Sequence, residues 1–335
     1  MKPLIAITMG CPAGIGPEII IKSLTDALQV CTPVIFGHWP TFKQVASELG
    51  FSLNNIEPIG EISQINTDSG DGSKVQFFHT GGAAQSIDQP EIDSAWSQFF
   101  SLEKAVDAIL DGPLEGIATA PVSKELINRV YAGFTGHTEY LAQRCGLKRD
   151  GVTMLFASDN LVVGLLTTHL PVKELPETIT TWRYERTAKH VIEAAAVLNR
   201  IKQPRIAVAG FNPHAGEGGL LGSEEVEIIE PFCKTFDSSV ARITGPVPAD
   251  AVFRDAFAGK YHGVVAAYHD QALIATKLNG VGASVNITAG LDFVRTSPDH
   301  GTAVDIARKN IADYLPMLTS IKTAVQLISG YKDRA

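Results

Sequence analysis

The feature that most constrains the fold is a regular alternation of two kinds of segment. Short apolar runs rich in β-branched residues alternate with amphipathic stretches of helical period, as in an α/β protein with a parallel sheet and crossover helices. Strands are predicted at residues 4–8, 33–37, 116–119, 152–157, 161–167, 205–210, 263–268 and 283–288. Helices are predicted from Pro17 to about Leu28, from Ser223 onward, from Trp182 to Asn199 and from Pro316 to Ser329.

Length and charge restrict the class of protein. With 335 residues the chain is longer than one ordinary domain, so we expect two lobes with separate cores. A formal net charge of -8 without a block of Lys or Arg argues against a nucleic-acid partner, which requires a basic surface. No apolar run approaches the roughly 20 residues that cross a bilayer, and no export signal is evident. The four scattered cysteines favour neither disulfides nor a cysteine zinc site, so we expect a cytoplasmic protein without membrane contact.

Three of the nine histidines follow predicted strands: His169 after LVVGLLTT, His214 after RIAVAGFNP and His269 after GVVAAY. Because the carboxyl ends of parallel strands lie at one edge of a sheet, we expect the three imidazoles to converge there. Three neutral imidazoles bind a metal ion and leave positions open for a substrate, and Asp270 is placed to orient His269. Taken alone, each histidine is more often a loop or core residue, but the shared context favours a metal site.

Other segments are suited to anions or to a nucleotide. The first strand–helix loop contains Gly14 and Gly16, which let backbone N–H groups approach an anion, although such a turn is as often structural. His137 and Thr138 stand beside a glycine and suit a phosphate or carboxylate, or else form an exposed turn. The run from Asp299 to Asp305 suits a nucleotide, or equally a capped turn before a helix.

Three polar residues lie in the stretch after His269. Asn286 interrupts an apolar strand, where an amide is costly unless it is hydrogen-bonded, and this favours a ligand contact. Lys277 and Arg295 are cations that could contact the same ligand, although a solvated surface position is the more frequent case for each.

Taken in order, the motifs of the chain resemble the 4-hydroxythreonine-4-phosphate dehydrogenase family of pyridoxal phosphate biosynthesis, from Ile5 to Leu327. The motifs are PAGIGPE (12–18), APVSKE (120–125), GHTEYLA (136–142), TTHLP (167–171), NPHAGEGG (212–219), GPVPAD (245–250), YHDQ (268–271), and VNIT with RTSPDHGTA (285–303). Relatives that act on other acids share most of these motifs.

The resemblance implies two α/β/α lobes flanking a cleft, similar to isocitrate and isopropylmalate dehydrogenases. Residues 1–135 and 272–335 would form the first lobe and residues 136–271 the second. A homodimer is implied, with the active site at the interface and histidine ligands from both subunits. The implied metal ligands are His169, His214 and His269, and the implied substrate contacts are His137, Thr138, Lys277, Asn286 and Arg295. NAD, or alternatively NADP, would be held by His300, Gly301, Thr302 and Ala303, with Gly14 and Gly16 as further candidates.

The implied reaction is the metal-dependent oxidation of 4-phosphohydroxy-L-threonine at C3 by NAD, followed by decarboxylation to 3-amino-2-oxopropyl phosphate. A base must take the hydroxyl proton, and the candidates are Asp250, Asp270 and Lys277. Three imidazoles suit zinc, while cobalt, manganese and magnesium stay open as alternatives.

The chain departs from the family pattern at several positions, which puts the substrate in question more than the fold. Cys11 stands where the family usually carries Asp or Glu, Ala272 and Ala275 replace a usual Gly and Pro, and Asp292 replaces a Pro. Residues 308–310 lack the glycines that usually follow the nucleotide loop. Within the family, the alternative is a dehydrogenase of D-threonate or D-erythronate 4-phosphate. From another class, the alternative is a metal-dependent lyase or hydrolase without NAD, and a non-catalytic binding protein is the least favoured reading.

Overall fold

The computed structural model describes residues 2–67, 74–81, 92–158, 160–236, 239–278 and 284–334. The strands are β1 Leu4–Thr8, β2 Thr32–Gly37, β3 Ile56–Ile59, β4 Val75–His79, β5 Gly116–Thr119, β6 Thr153–Ser158, β7 Leu161–Leu165, β8 Arg205–Ala209, β9 Arg242–Val247, β10 Gly263–Ala266, β11 Val285–Ala289 and β12 Val294–Pro298. The helices are α1 Gly16–Val30, α2 Trp39–Glu48, α3 Ile92–Leu110, α4 Lys124–Val130, α5 His137–Arg144, α6 Leu175–Thr178, α7 Thr181–Leu198, α8 Glu230–Thr235, α9 Ala249–Phe257, α10 His269–Leu278 and α11 Leu315–Lys332. The predicted α/β class is confirmed.

The eight predicted strands are present with small shifts of their ends, although the first residue predicted for β11, at position 283, lies outside the described residues. The sequence analysis did not predict β3, β4, β9 and β12. β3 and β9 contain a proline, and β9 is partly exposed along its length, so neither has the continuous apolar run of a buried strand. The helix expected from Ser223 begins instead as a π-helical turn, Glu225–Ile229, which leads into α8.

The chain divides into two compact units. Unit 1 comprises residues 1–149 and 291–333, and unit 2 comprises residues 150–290. The sequence analysis placed the boundaries after residues 135 and 271. It therefore assigned α5 to the second lobe and β11 to the first, whereas α5 belongs to unit 1 and β11 to unit 2. α5 belongs to unit 1 because Tyr140 and Leu141 are buried in the same apolar cluster as Phe99 and Ile127. The first turns of α10 belong to unit 2 because Ala272 is buried in that unit's core.

The described residues of unit 1 form six parallel strands in the order β3-β4-β2-β1-β5-β12. β1 and β2 are buried at every position, as expected for parallel strands covered on both faces. One apolar cluster packs α3 and α5 against these strands, and Phe36, Phe78 and Phe99 are among its members. The segments that follow β1 and β12 carry the residues predicted to hold the cofactor.

Within the part of unit 2 that the structure describes, six strands follow the order β11-β6-β7-β10-β8-β9. β7, β10, β8 and β9 are parallel, whereas β6 is antiparallel to both β7 and β11. The expected parallel arrangement does not hold for β6, because only residues 159–160 separate β6 from β7 and so short a connection joins antiparallel strands. β7, β10 and β8 are neighbours, so the loops after their carboxyl ends lie at one edge of the unit. No described helix of either unit is long and apolar enough to span a membrane.

Candidate active site

Two of the three predicted metal ligands are close together at the carboxyl edge of unit 2. His169 follows β7, and His269 is the first residue of α10, directly after β10. Their ring centroids lie 5.9 Å apart. Two imidazoles on one zinc ion, with Zn–N bonds of about 2.1 Å, place their ring centroids roughly 5 to 6 Å apart, so this spacing is compatible with a shared ion.

Side-chain hydrogen bonds connect the three strand ends that carry the histidines. Thr167 Oγ1, after β7, donates to the carbonyl oxygen of Ala267, after β10, at 2.8 Å. The Gln271 Oε1 atom accepts from the Ala267 amide at 2.7 Å, and its Nε2 donates to the carbonyl oxygen of Gly210, after β8, at 2.8 Å. Gln271 therefore joins the loop that leads to His214 to the loop that carries His269.

The second nitrogen of His269 has a carboxylate partner. Its Nδ1 lies 2.6 Å from Oδ1 of Asp270, which fixes the ring orientation and leaves Nε2 as the free lone pair. Histidines that bind metals almost always make such a hydrogen bond through the other ring nitrogen. The donor chemistry of this position therefore fits a metal ion.

The complete set of three ligands is not formed within one chain. Among the residues that the structure describes, no group of three or more His, Cys, Asp or Glu side chains is arranged to hold a metal ion. His169 and His269 are paired, and His214 lies on the loop after the neighbouring strand β8. The role of His214 as the third ligand stays a prediction.

Unit 1 contains a buried cation near the amino end of β12. Arg295 is only 3% exposed, and its Nη2 donates to Oγ1 of Thr119, the last residue of β5, at 2.9 Å. Burial lowers the pKa of the Arg295 guanidinium to about 10, while the nearby Glu139 carboxylate favours the charged form. Arg295 is thus protonated at neutral pH. The sequence analysis gave a solvated surface position as the more frequent case for such a residue. That expectation is wrong for Arg295.

His137, in the first turn of α5, belongs to the same polar cluster. Its Nε2 is out of contact with solvent and makes no hydrogen bond within the described part of the chain. Burial lowers the pKa of His137 well below its usual value, and the positive charges of Arg295 and Lys124 lower it further. The ring is therefore neutral at pH 7. A neutral imidazole with an unused nitrogen beside two cations is suited to an anionic ligand.

Two further charged side chains, those of Lys124 and Glu139, lie close to Gly136 in this cluster. A Cβ atom on Gly136 would lie 3.6 Å from Lys124 Nζ and 3.0 Å from Glu139 Oε2. Thr138, the next predicted contact along α5, is partly buried. The sequence analysis did not single out Thr119, Lys124 or Glu139. Lys124 and Glu139 could have been found from the sequence, since they stand inside the APVSKE and GHTEYLA motifs.

The remaining predicted substrate and base residues lie in unit 2. Asn286, in the middle of β11 opposite Phe156, has a buried Oδ1 that accepts no hydrogen bond from any described residue. An unsatisfied buried amide favours the ligand contact expected for it. Lys277 in the last turn of α10 and Asp250 in the first turn of α9 are exposed.

The two loops predicted to hold the cofactor contact each other in unit 1. The Ile15 amide donates to the carbonyl oxygen of Thr302 at 2.9 Å, and a Cβ on Gly14 would lie 2.5 Å from that oxygen. Gly14 is therefore required by packing between the loops. His300 Nδ1 lies 3.0 Å from its neighbour's carbonyl oxygen, and its buried Nε2 has no partner in the described structure. Ala303 has a left-handed backbone, with φ 43°.

The other two glycines assigned to the cofactor have different surroundings. A Cβ on Gly16 would lie 2.2 Å from the carbonyl oxygen of Met9, so packing against the residue that follows β1 also requires this glycine. Gly301 has open space where a Cβ would stand. Of the three glycines Gly14, Gly16 and Gly301, packing requires the first two. Gly301 has no such contact, so its backbone is open to a ligand.

Two of the departures from the family pattern are buried. Cys11 is 1% exposed, and burial raises the pKa of its thiol, so a neutral group stands where the family pattern has a carboxylate. Ala272 is fully buried in the core of unit 2, and Ala275 packs against the same core. Asp292 is exposed.

Comparison with known proteins agrees with the motifs. Residues 29–324 match the family described as "Pyridoxal phosphate biosynthetic protein PdxA". A 4-hydroxythreonine-4-phosphate dehydrogenase of Marinobacter nauticus is 38% identical over 97% of this chain and 95% of that protein. A D-threonate 4-phosphate dehydrogenase of Pectobacterium atrosepticum is 38% identical over 98% of this chain and 100% of that protein.

A solved structure agrees as well. The crystal structure of a 4-hydroxythreonine-4-phosphate dehydrogenase from Klebsiella pneumoniae has a TM-score of 0.80 and 36% identity, covering 98% of this chain and 100% of that one. The match covers residues of both units. The chain belongs to the PdxA family of pyridoxal phosphate biosynthetic proteins.

Proposed function

We propose that this protein is an NAD-dependent dehydrogenase that oxidises 4-phosphohydroxy-L-threonine at C3, with decarboxylation of the 3-oxo acid to 3-amino-2-oxopropyl phosphate. In the oxidation the substrate carbon gives a hydride to NAD and its hydroxyl gives a proton to a base. In the second step the carboxylate leaves as carbon dioxide, the electron pair of the broken C–C bond is taken up by the adjacent C3 carbonyl group, and C2 then gains a proton. The observation that carries the proposal is the pairing of His169 with His269 at the carboxyl edge of unit 2, in a chain of the PdxA family.

His169, His214 and His269 would hold a divalent metal ion, with zinc as the first choice and cobalt, manganese or magnesium as alternatives. When bound, the ion supplies Lewis acidity toward an oxygen of the substrate. The Asp270 carboxylate keeps the His269 ring in the tautomer whose Nε2 is a ligand. Gln271 and Thr167 hold the strand ends at fixed separations.

Arg295, His137 and Thr138 would bind one anionic end of the substrate. Arg295 is buried and protonated, which makes it a strong partner for a phosphate or carboxylate group. The neutral His137 ring would donate one N–H to the same group. Lys277 and Asn286 are further proposed substrate contacts, and the buried, unsatisfied Oδ1 of Asn286 supports such a contact.

Three residues are candidates for the base that takes the hydroxyl proton: Asp250, Asp270 and Lys277. Asp270 already accepts a hydrogen bond from His269, so it is better suited to orient that ring than to remove a proton. Asp250 and Lys277 are exposed and remain the stronger candidates. The NAD cofactor, or NADP, would be held by residues 300–303 and the contacting glycine loop.

A homodimer is part of the proposal. The elements that carry the proposed ligands expose large apolar side chains in the single chain: Leu220 after the His214 loop is 82% exposed, and Ile274 and Leu278 on α10 are 62% and 83% exposed. A second copy of the chain would cover such residues and would bring its own histidines to the same place. Sedimentation at micromolar concentration tests this, and a monomer would contradict it.

A second candidate substrate is supported by one relative. The D-threonate 4-phosphate dehydrogenase of Pectobacterium atrosepticum is as similar to this chain as the 4-hydroxythreonine-4-phosphate dehydrogenase of Marinobacter nauticus, at 38% identity each. D-threonate 4-phosphate, or the related D-erythronate 4-phosphate, carries a hydroxyl group in place of the amino group. The same anion-binding residues would accept either type of substrate.

The deciding experiment measures NADH formation by the purified protein with a panel of these three 4-phosphorylated acids. Each acid is assayed with added zinc, cobalt, manganese or magnesium and after treatment with a chelator. We expect metal-dependent NADH formation with at least one acid. If an acid is consumed without NADH or NADPH formation, a metal-dependent lyase or hydrolase replaces the dehydrogenase proposal. If no acid is consumed under any condition, the proposal fails.

A further inference from the structure

The loop that carries His214 has an unusual backbone. Residues 214–218 all have positive φ, between 44° and 76°, so that five consecutive residues are left-handed. His214, Ala215 and Glu217 carry a Cβ, which disfavours this conformation. Such a backbone persists only when the surrounding structure holds it in place.

A buried carboxylate contacts this loop immediately before His214. Glu225, at the start of the π-helical turn, is 0% exposed. Its Oε1 accepts a hydrogen bond from the Asn212 backbone amide at 2.7 Å, and its Oε2 accepts from the Asn212 side-chain Nδ2 at 2.9 Å. Both carboxylate oxygens thus bind one residue, which stands two positions before His214.

The same carboxylate also contacts the loop after His214. A Cβ on Gly216 would lie 2.7 Å from Glu225 Oε2, a distance that no real Cβ adopts. The backbone at Gly216 is therefore packed directly on the Glu225 side chain. Glu225 therefore contacts the loop on both sides of His214.

The π-helical turn explains how Glu225 reaches this position. A π turn adds one residue to a helix and is frequent at functional sites, because it redirects a side chain that a regular helix would place elsewhere. Exposed Glu227 belongs to the same turn and provides a natural comparison.

We propose that Glu225 is a positioning residue that holds the left-handed loop so that His214 can bind the metal ion with His169 and His269. The inference rests on the proposed function, because it assumes that His214 is a metal ligand. Glu225 contacts neither the substrate nor the ion. It acts through the backbone of residues 212–216.

The test measures the zinc dissociation constant of the full-length protein by competition with a chromogenic chelator. Glu225→Gln keeps the size of the side chain but replaces one acceptor oxygen with an NH₂ group. That donor would face an N–H donor of Asn212, so one hydrogen bond is lost. Gly216→Ala leaves the carboxylate intact and introduces the clash with it. We expect each variant to raise the zinc dissociation constant roughly 10- to 100-fold, the usual effect of losing a group that orients a metal ligand. We also expect excess zinc to restore kcat, which a purely structural defect would not allow.

Matched controls separate this role from general destabilisation. Glu227→Gln makes the same chemical change on the same turn, and Gly50→Ala, far along the chain from this loop, adds a Cβ at φ 68° where nothing lies within 4 Å. We expect both controls to leave zinc affinity unchanged. Thermal unfolding of every variant shows whether it is folded, and Gly216→Ala decides alone if Glu225→Gln does not fold.

His214→Ala distinguishes the two ways in which the inference can fail. If this variant loses zinc affinity but Glu225→Gln and Gly216→Ala do not, the positioning role is overturned and the proposed metal site stands. If His214→Ala binds zinc as tightly as the unaltered protein, His214 is not a ligand, and both the proposed site and the inference are overturned.

Discussion

Nδ1 of His269 and Oδ1 of Asp270 lie 2.6 Å apart, so two adjacent residues at the start of α10 form a hydrogen-bonded pair. The aspartate is exposed, with 71% of its side chain in solvent, while the imidazole is less so, at 39%. Because the carboxylate stays largely hydrated, forming the pair costs little desolvation free energy. Its hydrogen bond still fixes the tautomer of the His269 ring.

Replacing this carboxylate tests the proposed role of His269. Asp270→Ala removes the acceptor for Nδ1, so the ring can rotate and change tautomer. We expect the zinc dissociation constant to rise roughly 10-fold or more. Competition with a chelator measures it. Asp26→Ala, at an exposed position of α1, is the control. An unchanged zinc affinity together with lost NADH formation would instead support Asp270 as the base.

The buried position of Arg295 leads to a prediction about substrate affinity. Arg295→Lys keeps the positive charge but loses the planar group that donates to Thr119 and could bind an anion through two N–H groups. A hydrogen bond to a charged group contributes about 1.5–3 kcal/mol, so we expect KM for the phosphorylated acid to rise roughly 10- to 100-fold.

KM for NAD should not change in Arg295→Lys, and both values come from initial-rate measurements of NADH formation. Arg129→Lys is the control, because Arg129 forms an exposed salt bridge with Glu125 within α4. An acid KM that stays at the original value in Arg295→Lys would remove Arg295 from the substrate site.

Burial also predicts how stability depends on pH. His190 on α7 lies 2.8 Å from Thr153 Oγ1, and burial, with help from nearby Arg186, lowers its pKa to about 4. In the unfolded chain the pKa is about 6.5, so below that pH the unfolded state binds a proton that the folded state does not. The free energy of unfolding should therefore fall as pH drops from 6.5 to about 4, by up to about 1.4 kcal/mol per pH unit from this residue.

Urea unfolding at several pH values measures this effect. His137, whose pKa is also lowered, contributes with the same sign, so His190→Asn should reduce the pH dependence without abolishing it. A His190→Asn slope equal to that of the original protein would show that His190 titrates normally.

Much of the site could be predicted from local sequence. An apolar run followed by a polar residue locates a strand end, and parallel neighbours bring strand ends together, which is why the positions of His169 and His269 could be expected. The resemblance to a family supplied Arg295, but its burial depends on β12, a strand that the hydrophobic pattern did not reveal.

Other parts of the site depend on long-range contacts that no local pattern encodes. Gln271 and Glu225 are ordinary polar residues in the sequence, and their roles appear only when β8 is placed beside β10 and when the turn at 225–229 becomes a π helix. The antiparallel direction of β6 was predictable in principle. The two residues between β6 and β7 are too few for a crossover helix, and this spacing should have outweighed the hydrophobic pattern.

The contact between the two cofactor loops gives the last prediction. A Cβ on Gly14 would lie 2.5 Å from the carbonyl oxygen of Thr302 and 3.1 Å from its Cβ. Gly14→Ala must therefore displace the loop at 300–303, which we propose holds NAD. We expect KM for NAD to rise roughly 10-fold, about 1.4 kcal/mol, while KM for the phosphorylated acid and zinc affinity stay unchanged.

Gly50→Ala is the control for Gly14→Ala, since Gly50 has a left-handed backbone with φ 68° and nothing within 4 Å of its Cβ position. Any loss in that variant reflects backbone strain alone. If Gly14→Ala raised KM for the acid and left KM for NAD unchanged, the loops at residues 14 and 302 would belong to the substrate site, because the displaced atoms would then contact the acid and not the nucleotide.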